Sequence, residues 1–374
     1  MHKLQNNHNV YILGAGFSVD RGLPTIKDFM LSMRDAHEWL EASGRKEEAK
    51  AIAKVLEFRL EAASAAYRVK LELENIEELF SLASASDRAL TTYIQLAIAS
   101  TLDFKLQTNS EPKINFQFSN YNADKIPSHW SPVEGSGDKD KLVECPAYEF
   151  YLKTLLGDWN GQIKHNSNTF ISFNYDLLIE NSLEKLKVPY WYGIDAHQKT
   201  SSNAVELLKL HGSINWGADE SNKQYKIHDS YHDLINENHF PQLVPPTWRK
   251  LFTGELRKVW DKSIQSLVGA TRIIVIGFSI PPTDNHFKYL MAAGLQKNIS
   301  LREIIFVNPD KMYLEQRAKD IFGDAQIVGH ASATSPQVKI IGCSMSSFLS
   351  QGLGNINSYG RQIPKDIQNI QIYH

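Results

Sequence analysis

The chain has 374 residues, of which 42% are hydrophobic and 22% charged, with a net charge of -2, enough apolar material for two or three domains or one domain with a large insertion. That balance gives no electrostatic reason to expect nucleic-acid or membrane binding, and the two cysteines, Cys145 and Cys343, exclude both a cysteine-rich zinc site and a disulfide scaffold. The opening "MHKLQNNHNV" lacks the apolar core of a signal peptide, and no run approaches the ~20 apolar residues of a membrane span, so a soluble cytoplasmic protein is expected.

The first predicted element is a buried strand, "NVYILG", ending in Gly14-Ala15-Gly16 and passing through Ser18 and Val19 to Pro24. Glycines at such a strand end let backbone approach a pyrophosphate, and a following helix would offer free N–H groups. An ordinary tight turn uses the same residues, and Val19 stands where a dinucleotide fingerprint has its third glycine. From residue 25 to 161 the pattern is mostly helical, in "IKDFMLSMRDAHEWLEA", "EEAKAIAKVLEFRLEAASAAYRVKLE" and "NIEELFSLASASDRALTTYIQLAIAS". The polar stretch from Gln107 to Lys141 reads as loop or lid, followed by a helix, "AYEFYLKTLLGDW".

Four further short apolar runs follow: "NTFISF", "ELLKL", "RIIVIGF" and "REIIFVN". Helical patterns lie between several of them, "DLLIENSLEKL" after the first and "NHFKYLMAAGLQ" after the third. Continuous apolar runs alternating with helices predict an α/β fold, a Rossmann-like doubly wound parallel sheet with a large helical insertion, whose ligand lies beyond the carboxyl ends of the strands. The expected boundaries are 1–24 together with 162–347 for the sheet domain, 25–161 for the insertion and 348–374 for a C-terminal tail. Polar or small residues end the strands: Asn174, Tyr175 and Asp176 after the second, His211, Gly212 and Ser213 after the third, Gly277 and Ser279 after the fourth with Asp284 beyond, and Asn308 after the fifth. Helix capping accounts for Asn174 or Asp176 taken singly, and a lone histidine is more often structural than catalytic.

The ordered set "GAGFS…GLP", "FNYD", "KLHGS", "GFS" and "VNPD" resembles the sirtuin family, and more closely its sirtuin-like branch in bacterial anti-phage defence proteins. The resemblance covers roughly residues 9–24 and 168–310. It implies NAD as a substrate to be cleaved rather than a hydride carrier. Gly14, Ala15, Gly16 and Ser18 are then expected to line the pyrophosphate, Asn174 and Asp176 to face the nicotinamide ribose, and His211 to be the catalytic histidine. Gly277, Ser279 and Asn308 are expected to hold the phosphate and adenosine ribose side, Asp284 to orient the pocket, and Arg21 to be either a surface residue or a lid contact. Sirtuin deacylases carry two Cys-x-x-Cys pairs after the histidine. This chain has neither, and His228, His232 and His239 come without thiolates or matched spacing, so no zinc is expected and deacylation is in doubt.

With water as acceptor the products are nicotinamide and ADP-ribose, and the resemblance implies an NAD glycohydrolase acting in anti-phage defence by NAD depletion. A deacylase, an ADP-ribosyltransferase and a non-catalytic NAD or ADP-ribose sensor gating a partner are the competing readings. Such an effector needs restraint, and stand-alone members of the branch pair with HerA-type DNA-translocating ATPases. A homo-oligomer is also expected from the amphipathic helices, although the same faces would serve a monomer's core.

Overall fold

The computed structural model describes residues 7–86, 89–119, 126–133, 140–157, 167–218, 225–247, 254–281, 285–322, 337–349 and 367–373. In chain order, β1 is Asn9–Leu13, followed by two 3-10 turns, Ala15–Phe17 and Val19–Arg21. Helices α1 (Phe29–Ala42), α2 (Lys46–Val69), α3 (Ile76–Ser86) and α4 (Leu90–Thr108) come next. Strands β2 (Lys113–Ser119), β3 (Ser131–Pro132) and β4 (Asp140–Pro146) lead to α5 (Ala147–Leu156). The chain continues through β5 (Asn168–Ser172), α6 (Leu178–Lys185), β6 (Tyr190–Trp191), β7 (Val205–Lys209), β8 (Gly212–Ala218), β9 (Tyr225–Ile227), α7 (Tyr231–Asn236) and β10 (Phe240–Leu243). It closes with α8 (Gly254–Val268), β11 (Arg272–Ile276), α9 (Asn285–Leu295), β12 (Glu303–Val307), α10 (Lys311–Phe322), β13 (Gln337–Ile341) and β14 (Ile367–Tyr373).

The main sheet has seven parallel strands in the order β13-β12-β11-β1-β5-β7-β6. Leaving aside the two-residue edge strand β6, this is the Rossmann order, with successive strands added first on one side of β1 and then on the other. All five predicted apolar runs are strands of this sheet, and β1, β5, β11 and β12 are buried along their whole length. Their β-branched and aromatic side chains are covered on both faces, as parallel strands require. The sheet's two ends differ in chemistry. At the amino end, Asn9 Nδ2 donates to Asn168 Oδ1 (3.2 Å), Arg272 Nε to Glu303 Oε1 (2.6 Å) and Lys339 Nζ to Glu303 Oε2 (3.0 Å), a ladder binding neighbouring strands. The carboxyl end carries the small and polar residues singled out above.

The insertion is helical in α1 to α4, but the stretch expected to be a loop contains β2 and β3 and the start of β4. Ile114 and Phe116 alternate inward from β2 and are fully buried, with Trp130 and Phe150 against Phe116 at ring separations of 5.9 and 5.3 Å. The C-terminal segment also differs from a plain tail, since β14 pairs antiparallel with β2 in a four-stranded sheet, β14-β2-β4-β3. A third, antiparallel sheet, β10-β8-β9, follows His211. The insertion is joined to this part by buried polar contacts. Tyr231 Oη donates to Glu48 Oε1 (2.7 Å) and is 3.0 Å from Ser100 Oγ, while Arg45 pairs with both Glu48 and Asp103. No helix among the described residues is long and apolar enough to cross a membrane.

Candidate active site

The first loop does not lead straight into a long helix. After Gly14 the chain makes the two 3-10 turns, and Val19, at the third-glycine position, is exposed. The glycines here serve contact between two loops. A Cβ at Gly14 would lie 2.7 Å from the Gly277 carbonyl oxygen, and one at Gly16 2.7 Å from Gly277 Cα. Gly277 itself has φ 64, the left-handed region open to glycine, and a Cβ there would collide with the backbone of Gly16 and Phe17. Hydrogen bonds complete the interlock: Gly14 N donates to Ile276 O (3.0 Å), Gly16 N to Gly277 O (2.8 Å) and Gly277 N to Val307 O (3.1 Å). These loops end β1 and β11, the pair at which the sheet's winding reverses, where open α/β sheets form their ligand crevice.

The β5 loop joins the first loop through side chains. Asn174 Nδ2 donates to Gly14 O (2.9 Å) and to Ser18 Oγ (3.0 Å), and Ser18 Oγ donates to Asp176 Oδ2 (2.7 Å). The other Asp176 oxygen accepts from Leu178 N (3.1 Å) at the start of α6, so capping and loop–loop contact are both present. Ser18 and Asp176 are buried, whereas Asn174 is half-buried. The Ser18 hydroxyl is therefore held between the two loops rather than turned outward.

Beneath Asp176 lies a buried ion pair that sequence reading missed. Lys209 Nζ, at the end of β7, donates to Glu180 Oε1 (2.9 Å) and to the Asp176 carbonyl oxygen, and Tyr192 Oη donates to the same Glu180 oxygen (3.0 Å). Burial pushes the Glu180 carboxyl up from its ordinary value, with Lys209 opposing.

His211 follows β7 and is buried, its ring edge-on to Phe173 (5.3 Å) and tilted to Tyr175 (6.0 Å), the two residues flanking Asn174. Phe173 stacks on Phe278 at 4.5 Å, and Phe278 lies 5.0 Å from Phe287, giving an aromatic floor from the β7 end to the β11 end. The carbonyl of His211 accepts from Val244 N (2.9 Å), and Tyr175 Oη donates to Val244 O (2.7 Å). Gly14, Ala15, Gly16, Ser18, Asn174, Asp176, His211 and Gly277 thus belong to one continuous rim. Ser279 is exposed just past it, and Asn308, beyond β12, accepts from Asp310 N through Oδ1 (2.9 Å). Asp284 lies outside the described residues. Ile280, a β-branched residue at φ 54, is buried, and its carbonyl accepts from Arg317 Nε (3.0 Å). No periodicity in the sequence announces that strained position.

Fold and rim together define a Rossmann-type protein with a candidate site at the winding reversal. Residues 168–325 match the family model described as the SIR2-like domain, and the chain is sirtuin-like over that segment. No curated protein sequence matches the chain. Among solved structures, Sir2Tm bound to a propionylated peptide is similar at 11% identity and a TM-score of 0.40, over 94% of this chain and 93% of that one. A Sir2 with a p53 peptide and NAD+ is similar at 13% identity and a TM-score of 0.37, over 94% of both chains.

Proposed function

We propose that the chain is an NAD glycohydrolase that cleaves NAD to nicotinamide and ADP-ribose and acts as an NAD-depleting effector of anti-phage defence. The observation that carries the reading is the hydrogen-bonded set Gly14–Asn174–Ser18–Asp176 beside the buried His211 ring. The SIR2-like match supports use of NAD. Asn174 has its amide N–H groups directed to Gly14 and Ser18, so Oδ1 is the atom that accepts from a water or a ribose hydroxyl. Asp176 bonds Ser18 and the start of α6, so it acts as a positioning residue that fixes Asn174 through Ser18.

The leaving nicotinamide takes the electron pair of the broken C–N bond and departs neutral, so no strong general acid is needed. Water supplies the oxygen that bonds to the ribose carbon, and His211 accepts the proton, directly or through the ribose hydroxyl. Gly14, Ala15, Gly16 and Gly277 border the pyrophosphate side, with Ser279 and Asn308 toward the adenosine ribose. Restraint comes from a separate partner, a HerA-type ATPase, together with homo-oligomerisation, in the cytoplasm.

Purified chain incubated with NAD, alone and with the ATPase, is expected to release nicotinamide and ADP-ribose in equal amounts. His211→Ala and Asn174→Ala are each expected to reduce release by at least about 100-fold. Undiminished cleavage by the double variant would overturn the assignment. Adding an acylated peptide separates transfer from hydrolysis, and NAD binding without turnover in every condition would support the sensor reading.

A further inference from the structure

The sheet that follows His211 carries a cluster outside the rim described above. His228 Nε2 and His239 Nδ1 are 3.0 Å apart, and Glu237 Oε2 is 3.7 Å from His239 Nδ1. One ligand-capable atom from each of the three residues falls within 4.8 Å of the others. In a tetrahedral site with metal–ligand bonds near 2.0–2.2 Å, ligand atoms stand about 3.4 Å apart, so the two measured separations bracket what a metal needs.

The local backbone is arranged to produce this convergence. Helix α7 ends with Glu237 N donating to Asp233 O (3.1 Å) and His239 N to Leu234 O (3.1 Å). Between them Asn238 takes φ 56, a left-handed turn that asparagine tolerates better than most residues. That turn brings residues 237 and 239 to the same neighbour. His228 is fixed from the other side, its N donating to Asn215 O (3.0 Å) and its carbonyl accepting from Asn215 Nδ2 (2.8 Å). Gly217 on β8 leaves room for both rings, since a Cβ there would lie 2.8 Å from His228 Nε2 and 2.9 Å from His239 Cβ. His228 is buried, His239 half-buried and Glu237 exposed, so the cluster opens to water on one side. Lys226 forms an ion pair with Glu237 and is the cation now present at the open side.

We infer that His228, His239 and Glu237 form a binding site for a divalent transition-metal ion of the zinc class, with water in the remaining position and Lys226 displaced when the metal enters. Two imidazoles and a carboxylate with an open fourth position suit that ion, and the site ties the end of β9 to the turn between α7 and β10. His232, the third histidine of this segment, is exposed and takes no part in the cluster. The inference does not depend on the NAD reading.

Full-length chain stripped with a chelator is titrated with Zn2+ alone by calorimetry, and with Co2+ alone for its visible absorption. The wild type is expected to bind one Zn2+ that His239→Ala and Glu237→Gln bind more weakly by at least the about 10–100-fold typical of losing even an outer-shell partner. Lys226→Met is expected to tighten binding, which a merely structural ion pair does not predict. Glu237 is exposed, so Glu237→Gln stays informative if His239→Ala fails to fold. Equal Zn2+ affinity in the wild type and Glu237→Gln, or no uptake by folded wild type, overturns the inference.

Discussion

Ser18 shows how much of the candidate site depends on one small side chain. Its hydroxyl takes a hydrogen bond from Asn174 and gives one to Asp176, which lies 158 residues away in sequence. Ser18→Ala leaves a buried carboxylate oxygen without its donor and is expected to cost about 1–3 kcal/mol, read as a lower midpoint in urea unfolding with an unchanged slope. Midpoints that coincide would mean that water replaces the hydroxyl. That Ser18, Asn174 and Asp176 deserved attention was legible, because each is polar at the end of an apolar run. Their mutual geometry was not, since no local pattern encodes a partner from a distant strand end. Lys209 and Glu180 were hidden for a related reason: a charged residue in an apolar run reads as exposed until its buried counter-charge is known.

The clearest lesson among elements concerns Arg21, which sequence left between a surface role and a lid contact. Its guanidinium donates to the carbonyls of Leu106 (2.7 Å), Asn109 and Ser110 (3.3 Å), closing the carboxyl end of α4. Asn109 Nδ2 in turn donates to Gly22 O (3.1 Å), and Tyr151 Oη on α5 to Asp20 Oδ2 (3.1 Å), so the first loop is held from the insertion side as well. A cation at a helix carboxyl end satisfies orphan carbonyls and favours the dipole. Arg21→Ala is expected to lower stability by about 0.5–2 kcal/mol and to speed amide exchange in the last turn of α4 more than elsewhere. Uniform acceleration would show that the contact does not act locally. Strand β2 was also open to detection, through the alternation of Ile114 and Phe116, but turn-forming polar residues around it masked the period.

At the scale of the molecule, five strands of the main sheet were readable as short apolar runs, while two-residue β6, β13 with Gln337 and Lys339, and the antiparallel sheets were not, because their strands are short or mixed. The amino end of the main sheet also predicts a pH response. Burial holds the His8 imidazole below its ordinary value of 6.5, with Glu206 opposing, and His8 Nε2 lies 3.0 Å from Thr169 Oγ1. The unfolded chain therefore binds the proton more readily than the folded one. This group's contribution is complete above the unfolded value and is lost as pH falls below it toward the depressed folded value, with a slope of at most about 1.4 kcal/mol per pH unit. His8→Gln is expected to flatten the fall in unfolding free energy between about pH 6.5 and 5 relative to the wild type. Parallel curves for the two proteins would remove His8 from the account.

The position of β1 has a consequence in time. It is the central strand, yet its partners are β5 and β11, and the Asn9 contacts to Asn168 and Arg272 span 159 and 263 residues. During synthesis the strand leaves the ribosome ahead of both partners and stays unpaired until they have followed, while α1 to α4 settle through local contacts. Its buried run of Val10, Tyr11, Ile12 and Leu13 is meanwhile open to solvent and to other nascent chains, so the segment at the heart of the finished sheet is also the one most in need of a chaperone.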